Sequence, residues 1–140
     1  EEIFSKNKNY PASFESMYLR ASALSYIGKL DESEKVLREL IEKEKTHKSC
    51  FHIAGAYTLL GLVLLKKNEP ERAKAFFNQA LSKELCNDRK SGVAIDYANL
   101  AVVEKLQGNN DEAYKNLQKA IAQAEDIDVK LVEKIKTMLN

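Results

Sequence analysis

Gly28-Lys29-Leu30-Asp31-Glu32-Ser33 returns as Asn68-Glu69-Pro70-Glu71-Arg72-Ala73 and again as Gly108-Asn109-Asn110-Asp111-Glu112-Ala113, aligned without gaps at an offset of 40 residues each time. Each segment opens with Gly or Asn, the residues that most readily take the left-handed conformation that ends a helix. Each then turns acidic, which suits a helix N-terminus, where aligned peptide dipoles leave partial positive charge. A stop followed at once by a start reads as two antiparallel helices joined by a tight turn. Pro70 agrees, because in the first helical turn its missing N–H has no intrahelical partner to lose.

The flanks repeat as well. After the turns come Val36, Leu37, Leu40 and Ile41, then Phe76, Phe77, Ala80 and Leu81, then Leu117, Ala120 and Ile121, stripes at the spacing of one buried helix face. Before the turns come Met17, Ala21 and Leu24, then Tyr57, Leu60, Gly61 and Leu64, then Tyr97, Leu100 and Ala101. Ala21, Gly61 and Ala101 are equivalent under the offset, and a small residue there lets two helices approach closely. With only 5 Gly and 2 Pro among 140 residues, and 44% hydrophobic residues to build a core, the chain is expected to be all-α and one domain.

These residues resemble the tetratricopeptide repeat, whose pattern has an aromatic, a Leu-Gly/Ala pair, a turn Gly, and Ala and large apolar residues in the second helix. The second repeat supplies Tyr57, Leu60, Gly61, Ala73, Phe77 and Ala80; the third supplies Tyr97, Leu100, Ala101, Gly108, Ala113, Leu117 and Ala120. The first is degenerate, with Met17, Arg20, Ala21, Gly28, Ser33, Leu37 and Leu40. The standard repeat is ~34 residues long, so each repeat here carries an insertion, expected mainly as longer first helices. In this the chain is similar to the long-period arrays of kinesin light chains, of spindle-orientation scaffolds and of bacterial peptide-sensing regulators, all of which bind peptides or proteins.

The resemblance implies an α-α superhelix of three helix-turn-helix repeats, at residues 14–47, 54–87 and 94–127, closed by a capping helix at 127–139. Helices are expected at 12–27, 31–45, 50–67, 70–85, 90–107 and 110–125 before that cap. The start at Glu1, with no Met, is read as belonging to a fragment of a longer chain. In such arrays the first helices line a concave surface. The matching partner-binding positions are Tyr18, Ser22 and Tyr26; Thr58, Leu62, Leu65 and Lys66; and Ile95, Asn99, Val102 and Leu106, with Ser25, Leu59, Ala98 and Lys105 beside them. Asn99 stands where long-period members hydrogen-bond a partner's backbone. The basic clamp with which some members hold a chaperone's C-terminal carboxylate is missing, because its places are filled by Tyr18, Ser22, Leu59, Ile95 and Asn99.

The expected function is therefore binding of a partner's peptide or helix in a partly apolar groove, or, alternatively, peptide sensing within a larger regulatory protein. No catalytic constellation or cofactor motif has a recognisable spacing. Glu104, standing where Leu24 and Leu64 do with Lys105 beside it, reads as an ion-paired or partly exposed carboxylate rather than a catalytic one. His47, Cys50, His52 and Cys86 match no zinc signature, and neither a metal nor a disulfide is expected of them. With 22 basic and 21 acidic residues interspersed there is no basic stripe for nucleic acid, and no apolar run reaches the ~20 residues of a membrane span. Two cysteines and no Asn-x-Ser/Thr acceptor favour a cytoplasmic setting.

Overall fold

The computed structural model describes residues 10–45, 51–86 and 89–138, with the side chains of 10–13, 51 and 52 left aside. Over these residues the chain forms α1 (Tyr10–Tyr26), α2 (Leu30–Lys45), α3 (Phe51–Lys66), α4 (Pro70–Cys86), α5 (Lys90–Leu106), α6 (Asn110–Glu125) and α7 (Val129–Met138). The architecture is three helix-turn-helix repeats and a C-terminal capping helix, as the periodicity predicts. The first helices begin three or four residues ahead of the repeat starts at 14, 54 and 94, which is where much of the extra period goes.

Gly28, Asn68 and Gly108 all have positive φ, at 87°, 63° and 81°. Each closes the preceding helix with the same pair of backbone bonds. Gly28 N–H donates to Ser25 C=O and Lys29 N–H to Leu24 C=O; Asn68 and Glu69 do so to Leu65 and Leu64, and Gly108 and Asn109 to Lys105 and Glu104, at 2.8 to 3.2 Å. Carbonyls that a helix end leaves without partners are thereby satisfied. The same geometry explains why α1, α3 and α5 end one residue earlier than the sequence predicts, since the residue before the left-handed one already leaves the helical pattern. α7 starts at Val129 rather than 127 because Asp128 caps it, its Oδ1 accepting the N–H of Lys130 at 3.0 Å. The predicted helix residues 50 and 139 lie outside the described residues.

Each first helix packs on its second helix, and α2 and α4 pack on the first helix of the next repeat. α1 also touches α3, and α3 touches α5, whereas among the described residues α2, α4 and α6 do not touch one another. First helices therefore occupy the tighter, inner side of the array. α7 closes its end against α5 and α6, burying Val132 and Ile135.

The core is set by small residues facing large ones. A Cβ on Gly61 would lie 2.5 Å from Phe77 Cε1, so α3 and α4 approach only because position 61 has no side chain. At the equivalent positions the first and third repeats pair the smaller Leu37 and Leu117 with Ala21 and Ala101. In the degenerate first repeat, buried Ser33 replaces alanine and satisfies its hydroxyl by donating to Ala21 C=O at 2.7 Å. Outside the core, Glu34 gathers Lys67 at 2.8 Å, Arg72 at 3.0 Å and Arg38 at 2.9 Å, linking the first two repeats. Burial pushes the Glu34 carboxyl up, but the bonds from Lys67, Arg38 and Arg72 outweigh this and hold it at about 2. Its stabilising contribution is present above the ordinary glutamate range and is lost as pH falls toward 2.

Gly28→Ala and Gly108→Ala should each cost about 1 kcal/mol through backbone strain alone, since nothing lies within 4 Å of either site. Asn68→Gly should be neutral or stabilising; urea midpoints at unchanged slope check all three. Gly61→Ala should cost roughly 1–3 kcal/mol by overpacking. Adding Phe77→Leu, which recreates the pairing of the other repeats, should cost less than the two single changes together in a double-mutant cycle.

Candidate functional site

The inner face is a strip built from the first helices. Leu62, 36% exposed, and the half-buried Leu65, Ile95 and Val102 remain partly open along it, while Tyr26 and Leu106 are exposed at one edge. Tyr18, Ser22 and Thr58 are half-buried. Lys66, exposed, spans back to the first repeat and donates to Ser25 Oγ at 3.1 Å, so its ammonium is held across the strip. Asn99 is only 2% exposed and its neighbour Ala98 is completely buried; both sit beneath the surface rather than on it. Helical periodicity gives the side on which a residue lies but not its depth.

Three of the sequence-predicted residues, Tyr18, Thr58 and Ile95, converge on a pocket of about 210 Å³ that opens on this face. The Tyr18 ring stacks on Phe14 at 5.9 Å between centroids and lies over Gly55, where a Cβ would touch it at 3.7 Å. Burial raises the Tyr18 phenol pKa, with Glu15 adding to the effect. The remainder of the lining was not anticipated from sequence: Glu84 from the end of α4, Arg89 from the connection, and Ser91, Gly92 and Asp96 from α5.

Two of these are buried carboxylates. Glu84, 4% exposed, fills the space that a side chain on Gly92 would take; a Cβ there would collide with its carboxylate. Its buried Oε2 has no hydrogen-bond partner, but Arg89 Nε lies 3.6 Å from it as a counter-charge, and the carboxylate rests on the first turn of α5, where the helix dipole favours an anion. Asp96, 1% exposed, has less. Its Oδ1 is 2.7 Å from Thr58 Oγ1, and its buried Oδ2 has no hydrogen-bond partner. Thr58 Oγ1 is also 3.2 Å from Ala54 C=O, and with one hydrogen it can donate to only one of the two acceptors. Burial first, then the charge of Glu84, pushes Asp96 up to about 7 against the opposing Thr58 bond. The sequence signals were faint: Asp96 stands where Ser16 and Ala56 do, and Glu84 repeats Glu44.

Other candidates resolve differently. Glu104, 3% exposed, is paired with Lys74 at 2.6 Å and accepts from Asn109 at 2.9 Å, rather than engaging Lys105, and these bonds lower its pKa. Cys86 is disulfide-bonded, contrary to the expectation of unpaired thiols, and Cys50, the chain's other cysteine, lies outside the described residues with His47. No described helix is long and apolar enough to cross a membrane.

Because Asp96 holds its proton more tightly folded than unfolded, its ionisation costs stability as pH rises from about 4 through 7. Asp96→Asn, which keeps an acceptor for Thr58, should therefore raise the urea midpoint most at pH 8, by less at pH 5, and change it little only below about pH 4.

The family pattern described as Tetratricopeptide repeat matches residues 14–45 and 54–82. No curated protein gives a significant sequence match. Among solved structures the fold is similar to BtubC (BKLC) from P. vanneervenii, with a TM-score of 0.76 and 20% identity, over 86% of this chain and 50% of that one. This chain thus spans about half the length of that protein, and the likeness is one of fold. Tetratricopeptide repeats generally mediate protein–protein interaction. Three helix pairs at a 40-residue period, the left-handed turns between them and the family match over residues 14–45 and 54–82 together identify tetratricopeptide-type repeats in this chain.

Proposed function

We propose that this chain is a non-enzymatic binding module, acting as one unit of three repeats and a cap, that holds a peptide or helix of a partner protein along the inner face of its first helices. The observation that carries the reading is the strip itself. Leu62, Leu65, Ile95 and Val102 stay partly open to solvent although they lie between packed helices. Apolar residues left accessible in a row, with Tyr26 at the edge, suit hydrophobic anchors spaced along a peptide. Asn99 and Ala98, being buried, support the strip from below instead of reaching a guest.

Neither a nucleic acid nor a chaperone carboxylate is the expected guest, on the charge pattern and on the absent clamp. A cytoplasmic setting rests on composition alone; the disulfide at Cys86 favours an oxidising one.

Peptides selected from a displayed random library against the wild-type chain should lose binding about tenfold or more to Leu62→Glu and to Val102→Glu, as expected for a charge placed in an apolar contact. Gln79→Glu, on the second helix α4, should leave them unaffected. Selected peptides that ignore both inner-face changes and respond to Gln79→Glu would overturn the reading.

A further inference from the structure

The pocket under Tyr18 carries an electrostatic imbalance. Of its charged groups among the described residues, Glu84 faces Arg89 and the start of α5, while Asp96 is hydrogen-bonded to the neutral Thr58 hydroxyl of α3, with Tyr18 lining the same pocket. Two carboxylates and one guanidinium leave one negative charge without a counter-charge when all are ionised. A buried carboxylate oxygen lacking a donor is costly, and the cost is relieved by a guest that brings N–H donors and positive charge.

We propose that this pocket receives a basic side chain, lysine or arginine, from the peptide that lies on the inner face, its cationic head donating to Asp96 Oδ2. The inference rests on the reading of that face as the peptide-binding surface. Size agrees: about 210 Å³ is below the ~300 Å³ at which small-molecule pockets begin, and suits one side-chain terminus. Shape agrees, because Gly92 makes room for the Glu84 carboxylate in the wall, Gly55 lies beneath the Tyr18 ring, and that ring and Ile95 offer apolar surface to a methylene stem. A metal ion fits poorly, since Arg89 sits among the donors and the described residues hold no cluster of three metal-ligating side chains. The elevated Asp96 pKa adds a consequence: binding a cation requires the ionised form, so below pH 7 binding releases a proton and weakens as pH falls.

The test uses small probes first, so that it does not depend on any selected peptide. Butylguanidinium and butylammonium, titrated into the labelled chain, should give saturable amide shifts at Gly55, Thr58 and Gly92, and should lower the Asp96 titration midpoint; butanol should do neither. Asp96→Asn, shown folded by circular dichroism, should abolish the cation response. Among library-selected peptides, one position should be enriched in lysine or arginine, and replacing it by norleucine or citrulline should cost about tenfold in affinity, an effect missing in Asp96→Asn. Absence of saturable shifts with either cation, or equal shifts with sodium or magnesium alone, would overturn the proposal. Peptides that need Leu62 but show no basic preference would sink this inference and leave the inner-face reading standing. A cation response with peptides indifferent to Leu62→Glu would do the reverse.

Discussion

The structure depends on one backbone constraint: a residue in left-handed conformation at 28, 68 and 108, without which no first helix could end where its partner begins. Because the constraint recurs at a fixed interval, each turn delivers the same pair of faces to the same neighbours, and the apolar stripes meet in register. The small residues at 21, 61 and 101 then fix how near the paired helices come. In the second repeat this goes furthest, with Gly61 leaving the room that Phe77 occupies. Stability in such an array is a sum of pair and neighbour contacts, so the turns act locally while their repetition shapes the whole.

Curvature, and with it the face proposed to bind, follows from which helices touch. First helices of adjacent repeats are in contact and second helices are not, so the inner face gathers side chains from three repeats into one continuous strip. That convergence is what lets residues 38 positions apart, Thr58 and Asp96, form a hydrogen bond, and what brings Glu84 and Arg89 beside them. A solenoid can thus build a polar pocket from single departures in otherwise repetitive helices. The cost is two carboxylates, Glu84 and Asp96, each with a buried oxygen lacking a hydrogen-bond donor, whereas buried Ser33 and inter-repeat Glu34 are well partnered.

Most of the fold was legible in the sequence because its signals are local and repeated: Gly or Asn at the turn, Pro70 at a helix start, small residues opposite large ones. The pocket was only partly legible. Tyr18, Thr58 and Ile95 fall on the expected face by helical spacing, but Asp96 and Glu84 are departures from the repeat, and their proximity is a tertiary fact. Glu104 shows the same limit, pairing with Lys74 of another helix instead of the adjacent Lys105, because successive residues on a helix point in different directions. Asn99 shows another: the sequence assigned its side of the helix, and packing decided that it lies inside.

The central claim, that the first helices present the working surface, is tested most directly by amide hydrogen exchange of the chain with and without a saturating selected peptide. The account predicts slowed exchange confined to α1, α3 and α5, with the strongest effect where α3 and α5 meet. Protection confined to α2, α4 and α6, or to α7, would contradict it.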